Sequence, residues 1–257
     1  MAVELVHNFS LLHDDVMDGD ATRRHRPTAW RLFGIGAAIL AGDALLTLAL
    51  DVLAASGHAE SGRGMRMLSA AVQELVDGQS ADMDFEQRDI VEPAECQTMA
   101  AHKTAALIGC SCALGALFGG ASDAGVQRLR TFGEHLGLAF QHVDDLLGIW
   151  GDAEVTGKPV YSDLRNRKKS LPVVFAMASD SAAGRELVAL YGRPGQLSDD
   201  EVARAASLVA DAGGRDWSQA EADKLLAHAL DQLDHADHGI AATELAALAR
   251  LVTRRDH

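Results

Sequence analysis

The chain has 257 residues, with 23 Lys and Arg against 37 Asp and Glu and a formal net charge of −14. So acidic a chain lacks the cation surplus that general nucleic-acid binding needs, while an anionic small molecule stays possible where local cations or a metal offset the field. Apolar residues make up 48%, aromatics 5%, and five prolines are present, which favours helices and suffices for one core in a single domain over residues 1–257.

The predicted elements run helix after helix, with no internal repeat, low-complexity tract or long linker, so the fold class is all-α. Ala2 to Asp18 reads as a helix and Thr22 to Pro27 as a basic turn. Ile35 to Ala55 is a strongly apolar helix stopped at Ser56-Gly57, and Arg63 to about Asp84 is the next. Pro93 suits the first turn of a helix that runs to Phe118, ahead of Gly119-Gly120. Ser122-Asp123 can cap a helix reaching Trp150. Leu164 to Ser179 follows, then a helix opened by the capping-box spacing of Ser198 and Glu201. Gln219 to Arg254 reads as one or two amphipathic helices.

Cys96, Cys110 and Cys112 have no zinc-like spacing and read as reduced core thiols, in keeping with a cytoplasmic protein. No secretory signal opens the chain. Ala105 to Phe118 is shorter than the roughly 20 residues of a membrane span, and Asp43 and Asp51 interrupt the longer run from Ile35.

Two acidic clusters carry the chemistry. Asp14 and Asp18, four apart, share one helix face near its C-terminal end, where the dipole also disfavours anions. A hard cation turns that local cost into a site, and carboxylates without Cys suit Mg²⁺. Taken alone, the cluster reads equally well as a solvated acidic turn. The second cluster, Gln141-His142-Val143-Asp144-Asp145, lies in an apolar helix, where paired acids need a partner. The two clusters suggest facing walls of one metal-lined cavity. Arg23 and Arg24, Lys103-Thr104, Lys158 and Lys168 stand along the chain where a diphosphate needs cations. The acid and histidine run from Asp231 to His238 reads as a solvated helix end.

These motifs together resemble the trans-type prenyl diphosphate synthases, the polyprenyl synthetases. The matching segments are Asp14-Asp15-Val16-Met17-Asp18 followed by Arg23-Arg24, Gly78-Gln79-Ser80-Ala81-Asp82, Lys103-Thr104, Gln141 to Asp145, Thr156-Gly157-Lys158-Pro159 and Lys168. The resemblance spans nearly the whole chain and implies an isoprenoid synthase helical bundle around a central cavity. It implies three Mg²⁺ ions on Asp14, Asp18 and Asp144, supported by Asp15 and Asp145. Arg23, Lys103, Lys158 and Lys168 then bind an allylic diphosphate, with Thr104 beside Lys103. Arg24 binds isopentenyl diphosphate, and Gln141 steadies the developing cation. The implied product is geranylgeranyl diphosphate, with farnesyl diphosphate the runner-up, because bulky Phe9 lies five residues before Asp14, near the cavity floor. A homodimer is also implied.

Three departures accompany the match. Gly148 replaces the last acid of the second motif, and Asp152 is a candidate to compensate. Asn166-Arg167 precedes Lys168 where relatives often carry an acid and a glycine. Only 13 residues precede Asp14, so the family's N-terminal helices are read as missing and isopentenyl diphosphate binding as weakened. Two rival readings are a class I terpene cyclase, for which only Asn166 and Ser170 suggest the second metal motif, and a non-catalytic subunit of a heteromeric synthase.

Overall fold

The computed structural model describes residues 1–152, 160–234 and 239–253. Helix α1 (Ala2–Met17) buries Ala2, Val6 and Phe9 at helical spacing and lays that face along α3 (Ile35–Ala54). Between them come a hairpin of β1 (Thr22–Arg23) and β2 (Arg26–Pro27) and the short α2 (Ala29–Phe33). The expected basic turn is therefore a two-residue hairpin loop, with Arg24 at φ 49° and His25 at φ 62°. Such a loop needs positive φ at both central residues, a conformation that costs a non-glycine residue about 1–3 kcal/mol and is usually left to Asn-Gly.

Helix α4 (Ser61–Gln87) is followed by α5 (Pro93–Ala100), a π-helical turn (Ala101–Ala105) and α6 (Ala106–Phe118). Glu92 and Glu95 form a capping box at the start of α5, and Pro93 takes its expected place in the first turn. Helix α7 (Asp123–Trp150) is the spine of the bundle; Ser122 caps it by accepting from the Gly125 amide, and it packs along both α6 and α12 (Gly214–Asp234).

The single helix expected over Leu164 to Ser179 is instead two, α8 (Ser162–Arg165) and α9 (Leu171–Ala178). The Asp145 carboxylate accepts from the Leu171 amide at 2.9 Å, and Pro172 needs no amide partner in the first turn, so a new helix begins there. Helices α10 (Ala182–Tyr191) and α11 (Asp199–Asp211) follow, the latter with the predicted Ser198–Glu201 capping box. The C-terminal stretch resolves into α12 and α13 (Gly239–Thr253).

One apolar core joins α1, α3, α4 and α6 around Val6, Leu68 and Cys110; a second joins the end of α7 to α8–α11 around Ile149, Val173 and Leu187. A third couples α7 to α12 and α13 through Phe132, Leu136 and Leu233. Cys96 and Cys110 are fully buried and Cys112 partly so, all with free thiols. Helices Ile35–Ala54 and Pro93–Phe118 have the length and apolarity of a membrane span; half of the second's most apolar stretch is buried inside the bundle, whereas α2 and α3 expose Leu32, Phe33 and Leu40.

Candidate functional site

The site is built from four helices that bring distant residues to the mouth of one cavity of about 1090 Å³. Helix α1 contributes Asp14, the π-turn leading into α6 contributes Lys103 and Thr104, α4 contributes Gln79, and α7 contributes Asp144. Below them the lining is largely apolar, with Leu75, Ile108, Leu129 and Phe132 among its walls.

Lys103 is the hinge of the polar end. It sits on the π-turn, where the helix widens to shift a side chain's direction, a feature common at functional sites. Gly78 on α4 makes this possible: a Cβ there would lie 2.3 Å from the Lys103 amide nitrogen, so only glycine lets α4 approach. The Lys103 ammonium then lies 2.6 Å from Asp82 and 3.4 Å from Asp14, tying α4 to α1. Burial would lower its pKa, but Asp82 and Asp14 more than offset that and hold it raised.

The first acidic cluster divides its labour. Asp15 is buried and takes the Arg23 Nε–H at 2.6 Å, while Arg23 reaches Asp14 at 3.3 Å through its terminal nitrogen. Burial raises the Asp15 pKa and Arg23 opposes it. The Asp14 Oδ1 atom is shielded from solvent and has no hydrogen-bond partner, although Lys103 stands at ion-pair distance. Asp18 ends α1 as its C-cap, and burial, then the Asp14 charge, push its pKa up to about 6. A buried carboxylate oxygen without a hydrogen-bond partner, beside a carboxyl of raised pKa, has the chemistry that a cation would satisfy.

On the opposite wall, Asp145 is spent on structure. Its two oxygens accept from the Gln141 amide at 2.8 Å and from Leu171, and burial raises its pKa to about 6 against the pull of Lys168. Gln141 in turn accepts from the Thr104 hydroxyl at 2.7 Å. Its amide is thereby fixed from both sides, while neighbouring Asp144 faces the cavity. Lys168 lies 3.9 Å from both Asp145 and Asp163, which with Asp82 and Asp144 raise its pKa against the effect of burial.

The structure thus gathers Asp14, Lys103, Thr104, Asp144 and Phe9 on the lining and sets Asp15, Asp18, Arg23, Gln141, Asp145 and Lys168 about it. Arg24 stands exposed at the apex of the hairpin and is not among the lining residues. Lys158 and residues 235–238 of the run from Asp231 to His238 lie outside the described residues.

Two participating residues were not singled out as site residues from the sequence. Asp82 closes the Gly78-Gln79-Ser80-Ala81-Asp82 segment already matched to the family, and that match was the available signal. Asp163 was invisible locally. Its carboxylate stands over Gly148, where a Cβ would meet Asp163 Oδ2 at 2.3 Å. The space vacated at the end of the second motif is therefore filled by the carboxylate of Asp163, eleven positions beyond Asp152.

Among the described residues no three His, Cys, Asp or Glu side chains converge on a ready-made metal position. Mg²⁺ is held by one or two carboxylates together with waters and phosphate oxygens rather than by an all-protein cage. Asp14, Asp18 and Asp144 have the chemistry to hold it.

A helical bundle with acids on two walls, lysines between them and an apolar cavity beneath defines a pocket for a substrate with an anionic head and an apolar tail. Comparison with known proteins agrees. Residues 1–209 match the polyprenyl synthetase family model. The chain is 51% identical over 91% of its length to a (2E,6E)-farnesyl diphosphate synthase of Mycobacterium tuberculosis, of which it covers 66%. It is 50% identical over 99% of its length to a geranylgeranyl diphosphate synthase of the same organism, of which it covers 72%. The crystal structure of a polyprenyl synthetase from Streptomyces coelicolor superimposes with a TM-score of 0.93 at 48% identity, over 98% of this chain and 76% of that one. The chain belongs to the polyprenyl synthetase family, the trans-prenyl diphosphate synthases.

Proposed function

We propose that the chain condenses isopentenyl diphosphate with an allylic diphosphate to give a trans-prenyl diphosphate, with geranylgeranyl diphosphate as the product. The observation that carries this reading is the cavity itself: acids and Lys103 at one end, apolar walls for the rest. In this reading, Asp14, Asp18 and Asp144 would hold Mg²⁺, which would supply positive charge to the departing diphosphate. Lys103, Arg23 and Lys168 donate to diphosphate oxygens, and Lys103 exchanges part of its contact with Asp82 and Asp14 for them. The allylic C–O bond breaks, the isopentenyl double bond attacks the resulting cation, and a proton leaves to the released diphosphate. Gln141, locked between Thr104 and Asp145, presents its carbonyl dipole to the developing cation. The apolar walls keep water from that cation.

The same reading includes a homodimer, for which the exposed Leu32, Phe33 and Leu40 of α2 and α3 offer an apolar surface. Sedimentation of the chain with and without lipid vesicles separates a second copy from a membrane as its cover. The direct test of function is incubation with Mg²⁺, labelled isopentenyl diphosphate and dimethylallyl, geranyl or farnesyl diphosphate. A C20 product abolished by Asp14→Ala supports the reading. Binding of an allylic diphosphate without any product assigns the chain a subunit role instead.

A further inference from the structure

Lys168 depends on its backbone for its aim. Its ammonium stands 3.9 Å from both Asp145 and Asp163, too far for a hydrogen bond to either. A lysine carries its charge on a flexible four-carbon stem, so the point where the stem leaves the chain decides where the charge can go. That point is the first residue after the turn that ends α8.

Two backbone hydrogen bonds close the turn. The Lys168 amide donates to the Asp163 carbonyl at 2.8 Å, and the Arg167 amide donates to the Leu164 carbonyl at 3.0 Å. With Asn166 as the C-cap of α8, this is the paired pattern of a Schellman motif. The motif needs a left-handed residue at the position held by Arg167, whose φ is 52°. Glycine usually takes that position, because a Cβ is strained there. Ending a short helix is therefore no reason for an arginine.

What the arginine adds is a tether. Its Nη2 donates to the Gly195 carbonyl at 2.7 Å, in the loop between α10 and α11. Leu164, inside the same turn, is wholly buried in the core around Ile149 and Leu187. Arg165 also reaches across, to Asp199 at 2.8 Å, but Asp199 is 89% exposed and such a pair contributes little. The turn that aims Lys168 is thus packed from within by Leu164 and fastened from outside at Arg167, the residue next to the lysine.

Resting on the function proposed above, we propose that Arg167 is a positioning residue for Lys168: its bond to Gly195 fixes the turn so that the ammonium meets the substrate diphosphate. Arg167 takes a left-handed backbone in order to make that bond. It acts on the substrate through Lys168 and not by its own charge.

Arg167→Gly separates the tether from the turn, because glycine forms the turn at least as well and cannot form the tether. The full chain, Arg167→Gly, Lys168→Ala and the double variant are titrated calorimetrically with farnesyl thiolodiphosphate in Mg²⁺, and the melting temperature of each is measured. Arg167→Gly weakens binding by about threefold or more, with a melting temperature no lower than that of the unaltered chain. Lys168→Ala weakens it further, and adding Arg167→Gly to that variant brings no additional loss. Arg167→Asn, which also tolerates the left-handed region, stands in should the glycine variant not fold. Undiminished binding in Arg167→Gly overturns the proposal. So does a loss accompanied by a lower melting temperature, which gives Arg167 a role in the fold alone. An equal loss with and without Lys168 means direct action on the ligand and overturns it as well. If Lys168→Ala binds as tightly as the unaltered chain, the positioning role falls while the proposed function stands. Failure of the unaltered chain to bind overturns both.

Discussion

The two ends of the cavity are built on opposite principles. At the mouth, nearly every side chain is committed to another: Lys103 to Asp82 and Asp14, Arg23 to Asp15 and Asp14, Gln141 to Thr104 and Asp145. At the far end the walls are Val3, Ser111, Gly115 and leucines, held by nothing more directional than packing. The mouth is preorganised for charge, and its chemistry depends on identity at single positions. The far end is a volume, and what matters there is size. A change at the mouth should therefore act on rate and metal dependence, whereas a change below should act on tail length or stability.

The largest expected effect lies at the mouth. Asp14→Ala lowers kcat/KM by on the order of 10³-fold, because charge stabilisation at the departing group is lost. Steady-state kinetics in saturating Mg²⁺ checks this, and an effect confined to tail length would break the division between the two ends. Next in size is a change in the wall itself. Phe132 is 1% exposed and anchors the core of α7, α12 and α13, so Phe132→Ala costs about 3–5 kcal/mol of stability in urea unfolding. A loss below 1 kcal/mol would show that this wall is not packed as described.

How much of this was legible in the sequence differs in the same way between the two ends. The mouth was readable because carboxylates four apart, and acids inside an apolar helix, are costly unless something uses them. The helices were readable from caps and periodicity, down to the Ser198–Glu201 box. The break between Arg165 and Leu171 was not, because it is made by Asp145, 26 residues upstream in sequence from Leu171. Asp163 escaped for the same reason: its place over Gly148 is a tertiary fact, and sequence proximity pointed to Asp152. The widened turn at Lys103 leaves no mark in residue type. At the far end, Phe9 could be placed near the cavity from its position five residues before Asp14, and the structure sets it on the lining.

A smaller effect sharpens the Asp163 assignment. Gly148→Ala places a Cβ against that carboxylate and costs about 1–3 kcal/mol by overpacking. Combining it with Asp163→Ser relieves the clash, so the double variant is more stable than the sum of the singles predicts. Strict additivity in thermal unfolding would contradict the contact.

The smallest effect concerns pH. Asp18 has its pKa raised to about 6 in the folded chain, above its ordinary carboxylate value, by burial and Asp14. The folded state then binds the extra proton between the two values, so this group's contribution to stability falls as pH rises through that window. Asp18→Asn should raise the melting temperature of the metal-free chain near pH 7.5 while leaving it unchanged near pH 4. It should also diminish the stabilisation that Mg²⁺ and diphosphate supply together at pH 7.5. A lower melting temperature at pH 7.5 would mean that the carboxylate is already satisfied by protein groups.

The central claim is that the acids at the mouth hold an anionic head through Mg²⁺. Calorimetric titration of the chain with farnesyl thiolodiphosphate, with and without Mg²⁺, tests it most directly. Binding that requires Mg²⁺ and disappears in Asp14→Ala is the predicted result. Equally tight binding in the presence of EDTA, or in the Asp14 variant, would contradict it.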